Sequence, residues 1–125
     1  MRTPVSLTVA LVCLIPGLFA ETLYFPQIGD GASGTGPGAL RLRTSFLFVN
    51  AGDGATVDLA LRDNSGAPME LDLGGAFGSG SDFQLTLAAG ASLVLETSGA
   101  SNPLKTGYAR IESPASVGST AVFTG

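Results

Sequence analysis

The sequence contains no histidine and no tryptophan, and it has a single cysteine. Without histidine, the usual general base for a serine or cysteine nucleophile is missing, and so is the commonest transition-metal ligand. Cys13 lies inside an N-terminal apolar run, so the rest of the chain has no thiolate chemistry, no disulfide and no ordinary zinc site open to it. Charge is sparse too, at 13% of residues. Its sign is negative, which argues against nucleic acid as a partner. Beyond the N-terminus no apolar run is long enough for a membrane-spanning helix.

What the N-terminus does have is the layout of an export signal. Arg2 is the only early charge, Val5 to Ile15 is apolar apart from small polar residues, and Pro16-Gly17 breaks the run before it ends at Ala20. A signal peptide over residues 1–20, cleaved after Ala20, is expected, because the run is too short to span a bilayer. The alternative is a buried N-terminal helix or strand. Val12 precedes Cys13 where a lipoprotein signal would carry a small residue, so lipidation is not expected. Residues 21–125 then form one domain with five basic residues against ten acidic ones, a net charge of about −5. With no disulfide, burial alone must hold that domain together.

Along residues 21–125, apolar segments of period two alternate with clusters of Gly, Pro, Asn, Asp and Ser, and no helical period stands out. The segments are 23–28, 44–50, 56–62, 69–73, 83–87, 92–97, 107–112 and 119–124. Seven or eight short strands at this density predict an all-β fold, an antiparallel sandwich with two sheets facing one core. The segment 44–50 carries Phe46 and Phe48 on one face and Leu47 and Val49 on the other, so it is expected to be a central strand.

One turn can be read closely. In "VDLALRDNSGAPMELDL" the inward set is Val57, Leu59 and Leu61, followed by Met69, Leu71 and Leu73. Opposed residues share a face, and a three-residue loop Asn64-Ser65-Gly66 keeps that parity, with Gly66 supplying a positive φ after a type I turn. The expected hairpin sets Leu61 against Met69, Leu59 against Leu71 and Val57 against Leu73. On the outer face it sets Asp58 against Asp72, mildly repulsive neighbours. Joined by a third oxygen ligand they would hold calcium; otherwise both carboxylates are simply solvated.

Other motifs fail on context. Gly29-Asp30-Gly31-Ala32-Ser33-Gly34 is a literal G-x-G-x-x-G, but no helix can follow it to meet a phosphate, so it reads as a flexible glycine loop. A carboxylate pair would suffice for glycoside hydrolysis. The acids, however, are spread over turns and outward strand positions. A secreted hydrolase is therefore the least supported class, and no catalytic residue and no cofactor beyond that calcium are assigned.

In "TGYARIESPASVGSTAVF", Ala109 and Ile111 share an inward face, while Tyr108, Arg110 and Glu112 look outward. Tyr108 beside Arg110 is the kind of pair that anchors an interface. The favoured reading is structural, with Arg110 and Glu112 solvated or the Tyr108 hydroxyl bonded to backbone. Ser113-Pro114-Ala115-Ser116 turns the chain into a last strand.

The segments "YFPQIGDG", "RTSFLFVNAG", "TVDLALRDNSGAPMELDL", "FQLTLAAGASLVLET" and "TGYARIESPASVGSTAVF", in this order, resemble a recurring bacterial extracellular β-sandwich module of uncharacterised function. The most specific parts are Phe25-Pro26-Gln27, Phe48-Val49-Asn50 and Gly107-Tyr108-Ala109-Arg110. The architecture is similar to immunoglobulin-like and fibronectin-like sandwiches without their Cys and Trp landmarks. The resemblance implies export, a place in a secreted or surface protein, often beside further domains, and no catalytic residues.

Three classes of function follow. The first is a structural or cell-surface module that associates with itself or with neighbouring proteins through sheet edges or outer faces. The second is an adhesion module that binds glycan or protein through its loops, Asp30 to Gly38 and Gly74 to Ser81. In the latter, Phe77 is a lone aromatic among glycines, either an anchor for a partner or a plug for the end of the core. The third is the hydrolase.

Overall fold

The computed structural model describes residues 20–125, so the expected signal peptide and Cys13 lie outside the described residues except for Ala20. The described residues form nine strands and no helix. In chain order they are β1 (Ala20–Ser33), β2 (Leu40–Asn50), β3 (Ala55–Asp63), β4 (Leu71–Asp72), β5 (Ser79–Gly80), β6 (Asp82–Leu87), β7 (Ser92–Glu96), β8 (Lys105–Pro114) and β9 (Val117–Thr124). Each of the eight expected segments contains a strand, though only Leu71–Asp72 of 69–73 is extended, and the ninth strand, β5, lies in the glycine-rich stretch.

Seven strands form one curled antiparallel sheet in the order β6-β3-β8-β1-β2-β7, with β9 also paired to β2. The remaining two, β4 and β5, form a small second sheet. The curl depends on β1, which changes partner along its length. Residues 20–25 and 28–30 pair with β8, and Gly31–Ser33 pair with β2. The register shift falls between Phe25 and Ile28, at Pro26-Gln27, where proline has no N–H for the ladder and the strand bulges.

The inner faces of the curl close on one core. Phe46 and Phe48 of β2, Val57, Leu59 and Leu61 of β3, Leu85 and Leu87 of β6, Leu95 of β7, Ala109 and Ile111 of β8 and Val117 of β9 are all buried in it. Burying the Val, Leu, Ile and Phe side chains among them contributes about 1.5–3 kcal/mol each. Two buried polar hubs tie the ends of β2. At one end Thr44 Oγ1 donates to the Gly29 carbonyl (2.7 Å) and the Thr44 N–H donates to Thr97 Oγ1 (3.0 Å). At the other, Asn50 Nδ2 donates to the Asp53 carbonyl (2.6 Å), while its Oδ1 accepts from the Gly52 N–H and the Ser116 hydroxyl.

The turn after β3 forms as expected. The Gly66 N–H donates to the Asp63 carbonyl (2.9 Å), the Asp63 N–H to the Ala67 carbonyl (2.8 Å), and Gly66 has φ 90°. The hairpin beyond it is corrected. Pairing stops at the Arg62–Pro68 bridge and the Met69 N–H to Leu61 bond. Leu59 then stands opposite Phe83 and Val57 opposite Leu85. Leu71 and Leu73 are buried as anticipated, but β6 occupies the edge of β3 that the second arm was expected to take. Phe83, Leu85 and Leu87 repeat the same alternation, so inward parity did not select the partner.

The glycine-rich motif is corrected as well. Gly29 to Ser33 is strand, paired through β1, and Asp30 is fully buried. Asp30 Oδ1 accepts from the Gly99 N–H (2.7 Å), and Oδ2 accepts from the Ser101 hydroxyl (2.7 Å) and N–H (3.2 Å). Burial pushes the Asp30 carboxyl up, but these bonds and one from Thr97 outweigh it and hold the group below its ordinary value. The motif therefore clamps the segment between β7 and β8 onto β1.

Candidate functional site

The outer face of the β6-β3-β8-β1 region gathers a group of polar and charged side chains. Side chains alternate across each strand, so the register fixes which of them meet. One row across the sheet runs Gln84, Asp58, Glu112, Thr22, and the next runs Asp82, Ala60, Arg110, Tyr24. Arg62 stands opposite Tyr108 in the row after that.

The small side chain of Ala60, only 5% exposed, leaves room between its larger neighbours. An open depression of about 320 Å³ results, lined by Asp58, Ala60, Asp82, Gln84, Arg110 and Glu112. Arg62 holds Asp82 through two bonds, 2.8 and 3.3 Å. This pairing, with help from the Ser81 hydroxyl and the charge of Arg110, holds the Asp82 carboxyl below its usual value. Among the described residues the ion pairs are Arg62–Asp82 and Arg43–Glu96, so Arg110 and Glu112 are not joined. Tyr24 and Tyr108 lean on one another with ring centroids 6.3 Å apart, and Tyr24 is 60% exposed. No hydrogen bond ties the Tyr108 hydroxyl to backbone among the described residues. Among the described residues the face presents an aromatic pair, a guanidinium outside the ion pairs, an amide and carboxylates.

Of the residues singled out from sequence, the fold brings Asp58, Tyr108 and Arg110 together. It separates Asp72 and Phe77 from them. Asp58 faces Gln84 and Glu112, whereas Asp72 pairs with Ser79 in the small sheet and accepts from the Gly74 N–H (2.8 Å). The expected Asp58–Asp72 pair, and the calcium site built on it, is therefore corrected. Among the described residues no group of three or more acids, histidines or cysteines converges for a metal. Phe77 is half-buried against the main core, and its loop is tied by bonds from the Leu73 N–H to Gly78 and from the Phe77 N–H to Gly74.

A second surface was missed. β2 is flanked by β7 on one side and β9 on the other, a central strand as expected, yet only one of its faces is covered. Leu47, Val49, Val94 of β7 and Val122 of β9 are 41–62% exposed on the other. The patch is bounded at one end by Arg43–Glu96, 2.8 Å apart. Its signal was the two-faced apolar pattern of 44–50, which had been taken as burial on both sides.

No protein-family profile matches the chain, and no curated protein and no solved structure matches it.

Proposed function

We propose that the chain is a non-catalytic, exported β-sandwich module of immunoglobulin-like type, with a structural or protein-interaction role in a secreted or cell-surface setting. The observation that carries this reading is the uncovered apolar face of β7-β2-β9. Leu47, Val49, Val94 and Val122 are contiguous there, and contiguous exposed apolar side chains on a small protein mark contact with another surface. The test replaces Val122 with a photo-crosslinking amino acid in the cells that make the protein. A crosslinked adduct outside the cytoplasm, on a chain whose N-terminus is Glu21, is the expected result. Absence of any adduct, or a chain retained inside the cell with residues 1–20 intact, overturns the reading.

A second reading, binding of glycan or protein, draws its support from the polar face rather than the loops, because Asp30 is buried and Phe77 packs on the core. The depression beside Arg110 and the exposed Tyr24 are its basis. Resonances of Tyr24, Tyr108 and Arg110 that shift together when glycans or surface proteins are added would support it, and unchanged resonances would remove it.

A further inference from the structure

Strand β9 differs from every other strand longer than two residues, because it alone contains no Asp, Glu, Lys, Arg or Pro. It is also an edge, paired only with β2. Free edges are normally blunted by charge, proline or a bulge. The open edge of β1 has Glu21 and the bulge at Pro26-Gln27, β6 has Asp82, and β7 has Glu96. Val117–Thr124 carries no charge, proline or bulge of its own, although β1 runs close to part of it.

The direction of its backbone groups follows from the ladder. The Ala51 N–H donates to the Ser116 carbonyl, one step beyond the Asn50–Val117 pair. Alternation in an antiparallel ladder then turns Gly118, Thr120, Val122 and Thr124 toward β2, and turns the N–H and C=O of Val117, Ser119, Ala121 and Phe123 outward. Phe123, on this strand, is 45% exposed.

We infer that β9 pairs antiparallel with β9 of a second copy of this chain, across a two-fold axis, to make one continuous six-stranded sheet β7-β2-β9-β9-β2-β7. The inference rests on the interaction-module reading and names the partner of that surface. Charge selects a second copy. In a two-fold contact the same patch of both copies meets itself, so a protein with an excess of acids is best served by a strip without like charges, and β9 is that strip. Opposed residues must share a face. Centring the axis on Thr120 satisfies this, with Ser119 opposite Ala121 and Val117 opposite Phe123 as the hydrogen-bonded pairs. The apolar outer faces around Val122 then become continuous. A strand edge is smaller than a standard interface, so the association is expected to depend on concentration.

The test is light scattering coupled to gel filtration, from low micromolar to millimolar concentration, on the purified chain and three variants. Ser119→Pro removes an outward N–H without touching the β2 ladder, and it deletes a buried hydroxyl that has no hydrogen-bond partner. Thr120→Lys sets like charges opposite one another at the axis on an exposed position. Thr86→Lys, exposed on β6, is the control. The parent chain and Thr86→Lys are expected to reach twice the chain mass, with dimerisation at least about tenfold weaker in Ser119→Pro and Thr120→Lys. If Ser119→Pro does not fold, Thr120→Lys decides. A monomer at every concentration overturns the inference, as does a dimer that survives both β9 variants. The wider reading stands or falls separately on the Val122 adduct. One of twice the chain mass is a second copy, one of any other mass keeps the module and discards self-pairing, and no adduct discards both.

Discussion

Asp58 and Glu112 stand directly opposite one another on β3 and β8. Opposed like charges in a ladder are mildly destabilising, and Arg110, on the same face, forms no ion pair with either among the described residues. Glu112→Gln is therefore expected to stabilise the fold by up to about 0.5 kcal/mol in urea unfolding at low salt. The gain should shrink at high salt, where the repulsion is screened; a loss of stability would show that Glu112 makes a favourable contact.

Asp30 gives the molecule a specific acid sensitivity. Its folded-state carboxyl is lowered, so the stability it contributes is fully present above the unfolded-state value of about 3.9. That contribution is lost as pH falls through the lower folded-state value. Asp30→Asn should cost about 2 kcal/mol at neutral pH, since an amide cannot accept on both sides as the carboxylate does. Thermal unfolding across pH should show the gap between parent and variant closing in strong acid, and a constant gap would refute this account.

Gly31 follows Asp30 with φ 109°, and a Cβ there would collide with the Ser101 carbonyl. Gly31→Ala combines backbone strain with overpacking and is expected to cost about 3 kcal/mol. Chemical denaturation reads this directly. A variant as stable as the parent would mean that the Thr97–Ser101 segment is not held against β1.

Phe77 packs on the core, although its sequence setting also suited a partner anchor. Phe77→Ala should lower stability by about 2 kcal/mol, less than for a fully buried phenylalanine because the ring is only half-buried. The Val122 crosslink should persist in the folded variant. Unchanged stability with a lost adduct would return Phe77 to the role of anchor.

Local alternation was enough to place the eight expected strand segments, though not β5 or the end of β1, and to give the inward set Val57, Leu59, Leu61, Met69, Leu71 and Leu73 and the outward row Tyr108, Arg110, Glu112. These depend on the period-two geometry of a strand, which each segment displays alone. The Asn64-Ser65-Gly66 turn was legible for the same reason, because its geometry is settled within a few residues and needs a positive φ at one of them.

Which strand lies beside which was not contained in that pattern. The second arm of the expected hairpin and the β6 segment present the same alternation to β3, and only the whole curl decides that Phe83 and Leu85, rather than Leu71 and Leu73, stand opposite Leu59 and Val57. That choice dissolved the Asp58–Asp72 pair and put Glu112 and Gln84 beside Asp58. Pairing with β8 and β2 likewise makes a strand of a glycine-rich stretch, and its aspartate clamps a distant segment. The sequence by itself determined most of the strands, which residues alternate on them and the absence of histidine and thiol chemistry outside Cys13. Partner choice depends on contacts between residues far apart in the chain, so the tertiary structure alone decided the charged face around Ala60, the uncovered side of β2 and the unprotected edge of β9.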